Sequence, residues 1–188
     1  MTPRAIVIGA SAGGVQALSR ILPALPARFS IPVLVVVHVP RRRDNALVEL
    51  FGAKCAVDVK EAEDKEVLGG GTIYFAPADY HLLVEGDGSI SLSSEEAVNH
   101  SRPAIDVLFE TAADAFGPAL TGIVLTGANH DGAQGLKAIG AAGGVAIVEA
   151  PETAEVPTMP AAALEQCPSA RAMSFDQITT YLQELAAP

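Results

Sequence analysis

The sequence predicts a single α/β domain, a three-layer doubly wound fold whose mainly parallel sheet carries a small antiparallel hairpin insertion. Three observations lead there. Ala5-Ile6-Val7-Ile8 and Val33-Leu34-Val35-Val36-Val37 are β-branched runs without polar alternation, as in strands buried on both faces. A helical pattern lies between them, which makes a strand-helix-strand unit with a right-handed crossover. The same alternation returns after Leu120. The 188 residues suit one domain, and no repeat, low-complexity tract or linker divides residues 1–188.

In chain order, Gly13 to Leu22 carries Val15, Leu18, Ile21 and Leu22 at helical spacing, and Pro23 and Pro26 stop that helix. A second helix is expected over Asp44 to Phe51, then a short strand over Val57 to Val59. Thr72 to Phe75, His81 to Val84 and Ser89 to Leu92 are short strands, and the Gly86-Asp87-Gly88 turn among them implies an antiparallel hairpin. A polar segment, Ser93 to Arg102, leads to Pro103 as the first helical residue, with Ile105, Leu108, Phe109 and Ala112 on one face. Leu120 to Leu125 reads as a strand, Gly132 to Ala141 as a helix and Val145 to Val148 as a strand. Met159 to Leu164 and Phe175 to Leu185 close the chain as helices.

Composition limits the function. Apolar residues make up 49% and charged residues 18%, which excludes a disordered chain. Twelve Lys and Arg against 22 Asp and Glu give a net charge of -10, the wrong sign for nucleic acid or an anionic membrane. No apolar run approaches the ~20 residues of a membrane span, and the N-terminus lacks a signal-peptide pattern, so the cytoplasm is the expected location. Cys55 and Cys167 are in no ligand-like spacing and are expected to be free thiols.

Ligands of open α/β sheets bind beyond the carboxyl ends of the strands. After the first strand comes Gly9-Ala10-Ser11-Ala12-Gly13-Gly14, the second strand ends at His38, and Thr126-Gly127-Ala128-Asn129-His130-Asp131-Gly132 follows Leu125. A dinucleotide fingerprint would need glycine at position 11 and an acid near 38. Serine and histidine stand there instead, the groups that acyl transfer uses. In that reading Ser11 is the nucleophile, His38 its base and Asp131 the carboxylate that orients His38. The N–H of Ala12, with backbone around Gly127 and Ala128, would hold an oxyanion. Each residue also has a plain structural reading: Ser11 and Asp131 as caps of the helices that follow them, and His38 as a core histidine. A metal hydrolase built on His38, His130 and Asp131, or a non-catalytic domain binding a receptor tail or a nucleotide at Gly9 to Gly14, also stays open on spacing alone.

These residues resemble the catalytic domain of the chemotaxis protein-glutamate methylesterases (CheB-type). The markers are Ile8 to Gly14, His38-Val39-Pro40 and Leu125 to Ala133, with further likeness in Val59 to Asp64, Tyr74 to His81 and Arg102 to Phe109. The resemblance implies hydrolysis of glutamate γ-methyl esters on methyl-accepting chemotaxis receptors through an acyl-enzyme on Ser11, with His38 and Asp131 completing a triad. It also implies glutamine deamidation by the same chemistry, and neither cofactor nor metal. Arg102, His81 and Glu149 take no role beyond loop scaffolding. Two departures stand out. Ala128 occupies a position where the family usually has Met, and no receiver domain precedes the first strand. Either such a domain has been cut away, or this is a stand-alone esterase, served by a separate receiver protein or acting on another substrate. Because freed receptor glutamates are acidic, a basic rim of Arg4, Arg41, Arg42 and Arg43 beside Ser11 and His38 is expected to offset the charge.

Overall fold

The computed structural model describes residues 4–38 and 46–186. Seven strands form one sheet: β1 (Ala5–Ala10), β2 (Val33–Val37), β3 (Asp58–Glu61), β4 (Thr72–Phe75), β7 (Leu120–Val124), β8 (Val145–Glu149) and β9 (Arg171–Met173). Their order is β3-β4-β2-β1-β7-β8-β9, and every neighbouring pair is parallel. β5 (His81–Val84) and β6 (Ile90–Ser93) form a separate antiparallel hairpin. All residues of β1, β2 and β7 are buried, which explains why their sequences show no alternation.

One face of the sheet packs against α1 (Gly14–Ile21), α2 (Ala46–Gly52) and α6 (Phe175–Glu184) through Leu18, Ile21, Phe51, Ile178 and Leu182. The other packs against α3 (Ile105–Phe116), α4 (Ala133–Ala141), α5 (Thr158–Gln166) and the hairpin through Leu82, Ile90, Leu108, Phe109, Leu136 and Met159. Helix α1 buries Gly14, Ala17, Leu18 and Ile21, the i, i+3, i+4, i+7 stripe of a helix laid on a sheet. Each fully buried Leu or Ile there contributes about 1.5–3 kcal/mol.

Three differences from expectation stand out. Thr72 to Phe75 does not join the antiparallel hairpin; it pairs in parallel with β2 and β3 in the main sheet. β9 was not expected, since three residues that are mostly exposed give no hydrophobic pattern. Helix α3 starts at Ile105, with Ala104 and not Pro103 at its boundary. The expected start of α2 at Asp44 lies outside the described residues. Both cysteines are free, Cys167 buried and Cys55 half-buried. Among the described residues no helix is long and apolar enough to cross a membrane.

Candidate active site

β1 lies centrally, with β2 on one side and β7 on the other, so the chain winds in opposite directions from it. The carboxyl end of β1 is therefore a topological switch point, where α/β sheets open a crevice. The loops after β1, β2 and β7 meet there. The β1–β2 register ends at Ala10 opposite Val37, and His38 N–H still bonds to Ala10 O at 3.0 Å. Ser11 and His38 thus occupy the next register position on adjacent strands, whose axes lie about 4.8 Å apart. On the other side, Ser11 N–H bonds to Thr126 O at 2.9 Å.

Ser11 does not cap α1. The N-cap of that helix is Gly13, at φ 79° and without a side-chain bond, a left-handed conformation that glycine adopts without strain. The turn leaves Ser11 Oγ without a hydrogen bond among the described residues. His38 is not a core histidine either: its side chain is 13% exposed, and Nε2 lies 2.9 Å from Asp131 Oδ2.

Asp131, 0% exposed, caps a helix, but not its own. The N-cap of α4 is Gly132, with no side-chain bond, whereas Asp131 turns to the start of α3. Its Oδ2 accepts Ile105 N–H (2.7 Å), and its Oδ1 accepts Asp106 N–H (3.0 Å) and the Asn99 amide (2.8 Å). Burial would raise this carboxyl's pKa, but the bonds from His38, Ile105, Asn99 and Asp106 outweigh it and hold it below the ordinary range. The positive end of α3 acts in the same direction. Asp131 is thus an ionised carboxylate with four donors around it.

Sequence reasoning missed the residues that hold this arrangement. Asn99 Nδ2 also donates to Asp106 Oδ2 at 2.8 Å, and Asp106 Oδ1 accepts Gly135 N–H at 2.7 Å. Asn99 and His100 both have positive φ, 52° and 62°, so the backbone is bent to deliver that amide. His81 and Arg102 hold the same loop. His81 Nε2 meets Glu96 O and its Nδ1 accepts Ala104 N–H, while Arg102 donates to Ser94 O and Glu95 O. Thr126 ties three loops together: its Oγ1 donates to Ala12 O at 2.9 Å and accepts Val156 N–H at 2.8 Å, and its N–H bonds to buried Glu149 Oε2. The scaffolding expectation for His81, Arg102 and Glu149 thereby acquires partners. Their sequence signal was only that they lie in strand-end or motif segments.

Of the expected backbone donors, Gly127 N–H is taken by Val156 O at 3.1 Å and cannot also serve an oxyanion. Ala12 and Ala128 N–H meet no acceptor among the described residues, and both residues are exposed. Gly127 matters for a different reason. A Cβ there would lie 2.6 Å from Met159 Sδ and 2.9 Å from Ser11 Cβ, too close for either to stay. Gly127→Ala is expected to cost about 1–3 kcal/mol in stability and to lower any Ser11-dependent activity by about 10- to 100-fold through displacement of Ser11. Melting curves with kcat/KM check this, and unchanged kcat/KM would contradict it.

The expected basic rim is corrected for Arg4. That residue precedes β1, bonds through its N–H to Ala119 O, and lays its guanidinium 5.4 Å from the Phe116 ring centroid. It sits at the amino end of this central strand, about 20 Å from Ser11 along it. Arg41, Arg42 and Arg43 lie outside the described residues.

Comparison with known proteins identifies the family. The chain is 48% identical over 178 residues to a provisionally named protein-glutamate methylesterase/protein-glutamine glutaminase of Leptospira interrogans, covering 95% of this chain and 92% of that protein. It is 39% identical over 163 residues to the protein-glutamate methylesterase/protein-glutamine glutaminase of Archaeoglobus fulgidus, covering 85% of this chain but 47% of that longer protein. The crystal structure of the Thermotoga maritima CheB methylesterase catalytic domain superimposes with a TM-score of 0.91 at 33% identity, covering 98% of this chain and all of that one. With a sequence model described as CheB methylesterase matching residues 6–182 as well, the chain belongs to the CheB methylesterase family.

Proposed function

We propose that this protein is a serine hydrolase that demethylates glutamate γ-methyl esters on methyl-accepting chemotaxis receptors and deamidates receptor glutamines by the same route. The observation that carries the reading is the buried, ionised Asp131 held 2.9 Å from His38 at the strand end where Ser11 turns. A carboxylate only accepts, so its partner nitrogen, Nε2, carries the ring proton and Nδ1 carries the lone pair. Ser11 Oγ attacks the ester carbonyl carbon as its proton passes to His38 Nδ1. The new oxyanion is received by the N–H groups of Ala12 and Ala128. Its collapse breaks the bond to the methoxy oxygen, which leaves as methanol with the proton from His38. Water then attacks the acyl-serine with His38 again as base, and yields the glutamate carboxyl and free Ser11. A glutamine side chain follows the same steps with ammonia leaving.

The metal-hydrolase alternative fits less well. Both oxygens of Asp131 already accept two protein donors each and His38 Nε2 donates to one of them, so of this pair only His38 Nδ1 has a lone pair to give. The test is mass spectrometry of methylated receptor peptides before and after incubation, with and without a chelator. Each esterified glutamate is expected to become lighter by one methylene as methanol appears, equally with chelator present. Unchanged peptide masses with folded enzyme would overturn the proposal, and loss of activity with chelator would favour the metal reading.

A further inference from the structure

Asn129 touches both members of the His38–Asp131 pair. Its Oδ1 accepts Asp131 N–H at 2.9 Å, which fixes the orientation of the carboxamide and turns its NH2 toward His38 Nδ1, 3.2 Å away. That nitrogen is the one the proposed reaction needs for the Ser11 proton. An amide donating to its lone pair favours neutral imidazole; the Nδ1–H of an imidazolium would meet it donor to donor. At 3.2 Å the bond is at the long end of its range and readily exchanged. Asn129 is half-buried between exposed Ala128 and His130, so the loop has room to yield.

We propose that Asn129 is a positioning residue that occupies His38 Nδ1 in the resting enzyme, holding the base neutral and in place, and gives that nitrogen up to Ser11 Oγ when substrate binds. This rests on the serine-hydrolase reading above. Among the described residues, the charged groups at His38 are Asp131 in direct contact and Asp106 behind it across Asn99, while the exposed, titratable His130 follows Asn129 in the chain. Substitution of Asn129 leaves these groups in place.

The experiment measures Asn129→Ala and Asn129→Asp in two ways: the pH profile of kcat/KM for methanol release, and the 15N shifts of the His38 imidazole during a pH titration without substrate. In Asn129→Ala the acid limb, and the pH at which the ring takes its second proton, are expected to rise by about 0.5–1 unit, the size of one neutral hydrogen bond. Asn129→Asp keeps an acceptor for Asp131 N–H and sets a carboxylate oxygen against Nδ1, so both readouts should rise further and the loop stays tied. A titration that is unmoved or falls in both variants overturns the proposal. The imidazole readout needs no turnover: wild-type enzyme that releases no methanol sinks the esterase reading, whereas an unresponsive ring sinks this one.

Discussion

Ser11→Ala is expected to lower methanol release from methylated receptors by about 10^4-fold or more, since a triad nucleophile and its base act as a unit and little chemistry survives removal of either. The same substitution should leave the melting temperature almost unchanged. Ser11 Oγ makes no hydrogen bond among the described residues, and the bonds that fix the turn, Ser11 N–H to Thr126 O and Gly14 N–H to Ser11 O at 2.7 Å, belong to the backbone. A serine that merely capped α1 would give the opposite result, with stability falling and activity persisting. Steady-state kinetics beside a thermal melt separate the two.

Asp131→Asn should damage both activity and stability. His38 and Ile105 surround one carboxylate oxygen, and Asn99 and Asp106 the other. An amide fits one side and opposes two donors with its NH2 on the other, whichever way it turns. The expected cost is about 3–5 kcal/mol, that of breaking a buried charged network by removing one partner. Activity should fall by about 10^3–10^4-fold, because His38 loses the acceptor that sets its tautomer. The pH dependence has a definite sign. Because the folded pKa of Asp131 is depressed, its stabilisation is complete above the ordinary carboxyl range and is lost as pH falls through the folded value. The stability gap between wild type and Asp131→Asn should therefore narrow between about pH 5 and pH 2. Asp106, raised chiefly by burial, works in the opposite sense, its favourable share fading as pH rises; the burial is common to both proteins, and only the smaller push from the Asp131 charge is lost in the variant. A gap independent of pH would contradict the assignment.

How much of this was legible in the sequence follows from what each residue touches. β1 and β2 were readable because complete burial on both faces writes itself as apolar runs without polar alternation, and β7 because Leu120 and Ile123 to Leu125 keep that pattern around Thr121 and Gly122. Their strand-end loops were readable for the same reason, which put Ser11, His38 and Asp131 on one edge. The pairing of Thr72 to Phe75 was not, because a four-residue strand beside a true hairpin carries no sign of its partner. Asp131 was assigned to His38, but its second partner, the start of α3, lies 26 residues away and follows only from the packing of α3 on α4. Asn99 and Thr126 were missed because a polar loop residue and a buried threonine look ordinary until their partners are known. Arg4 was misplaced on the strength of its charge, although its position just before β1 puts it at the amino end of the strand whose carboxyl end carries Ser11.

The central claim is that His38 and Asp131 activate Ser11 as a nucleophile. It is tested most directly by treating the protein with a fluorophosphonate and mapping the adduct by tandem mass spectrometry. A single adduct on Ser11 is predicted, formed rapidly in the wild type and nearly lost in His38→Ala and Asp131→Asn that remain folded. An adduct on another residue, or labelling of Ser11 at equal rates in all three proteins, would contradict it.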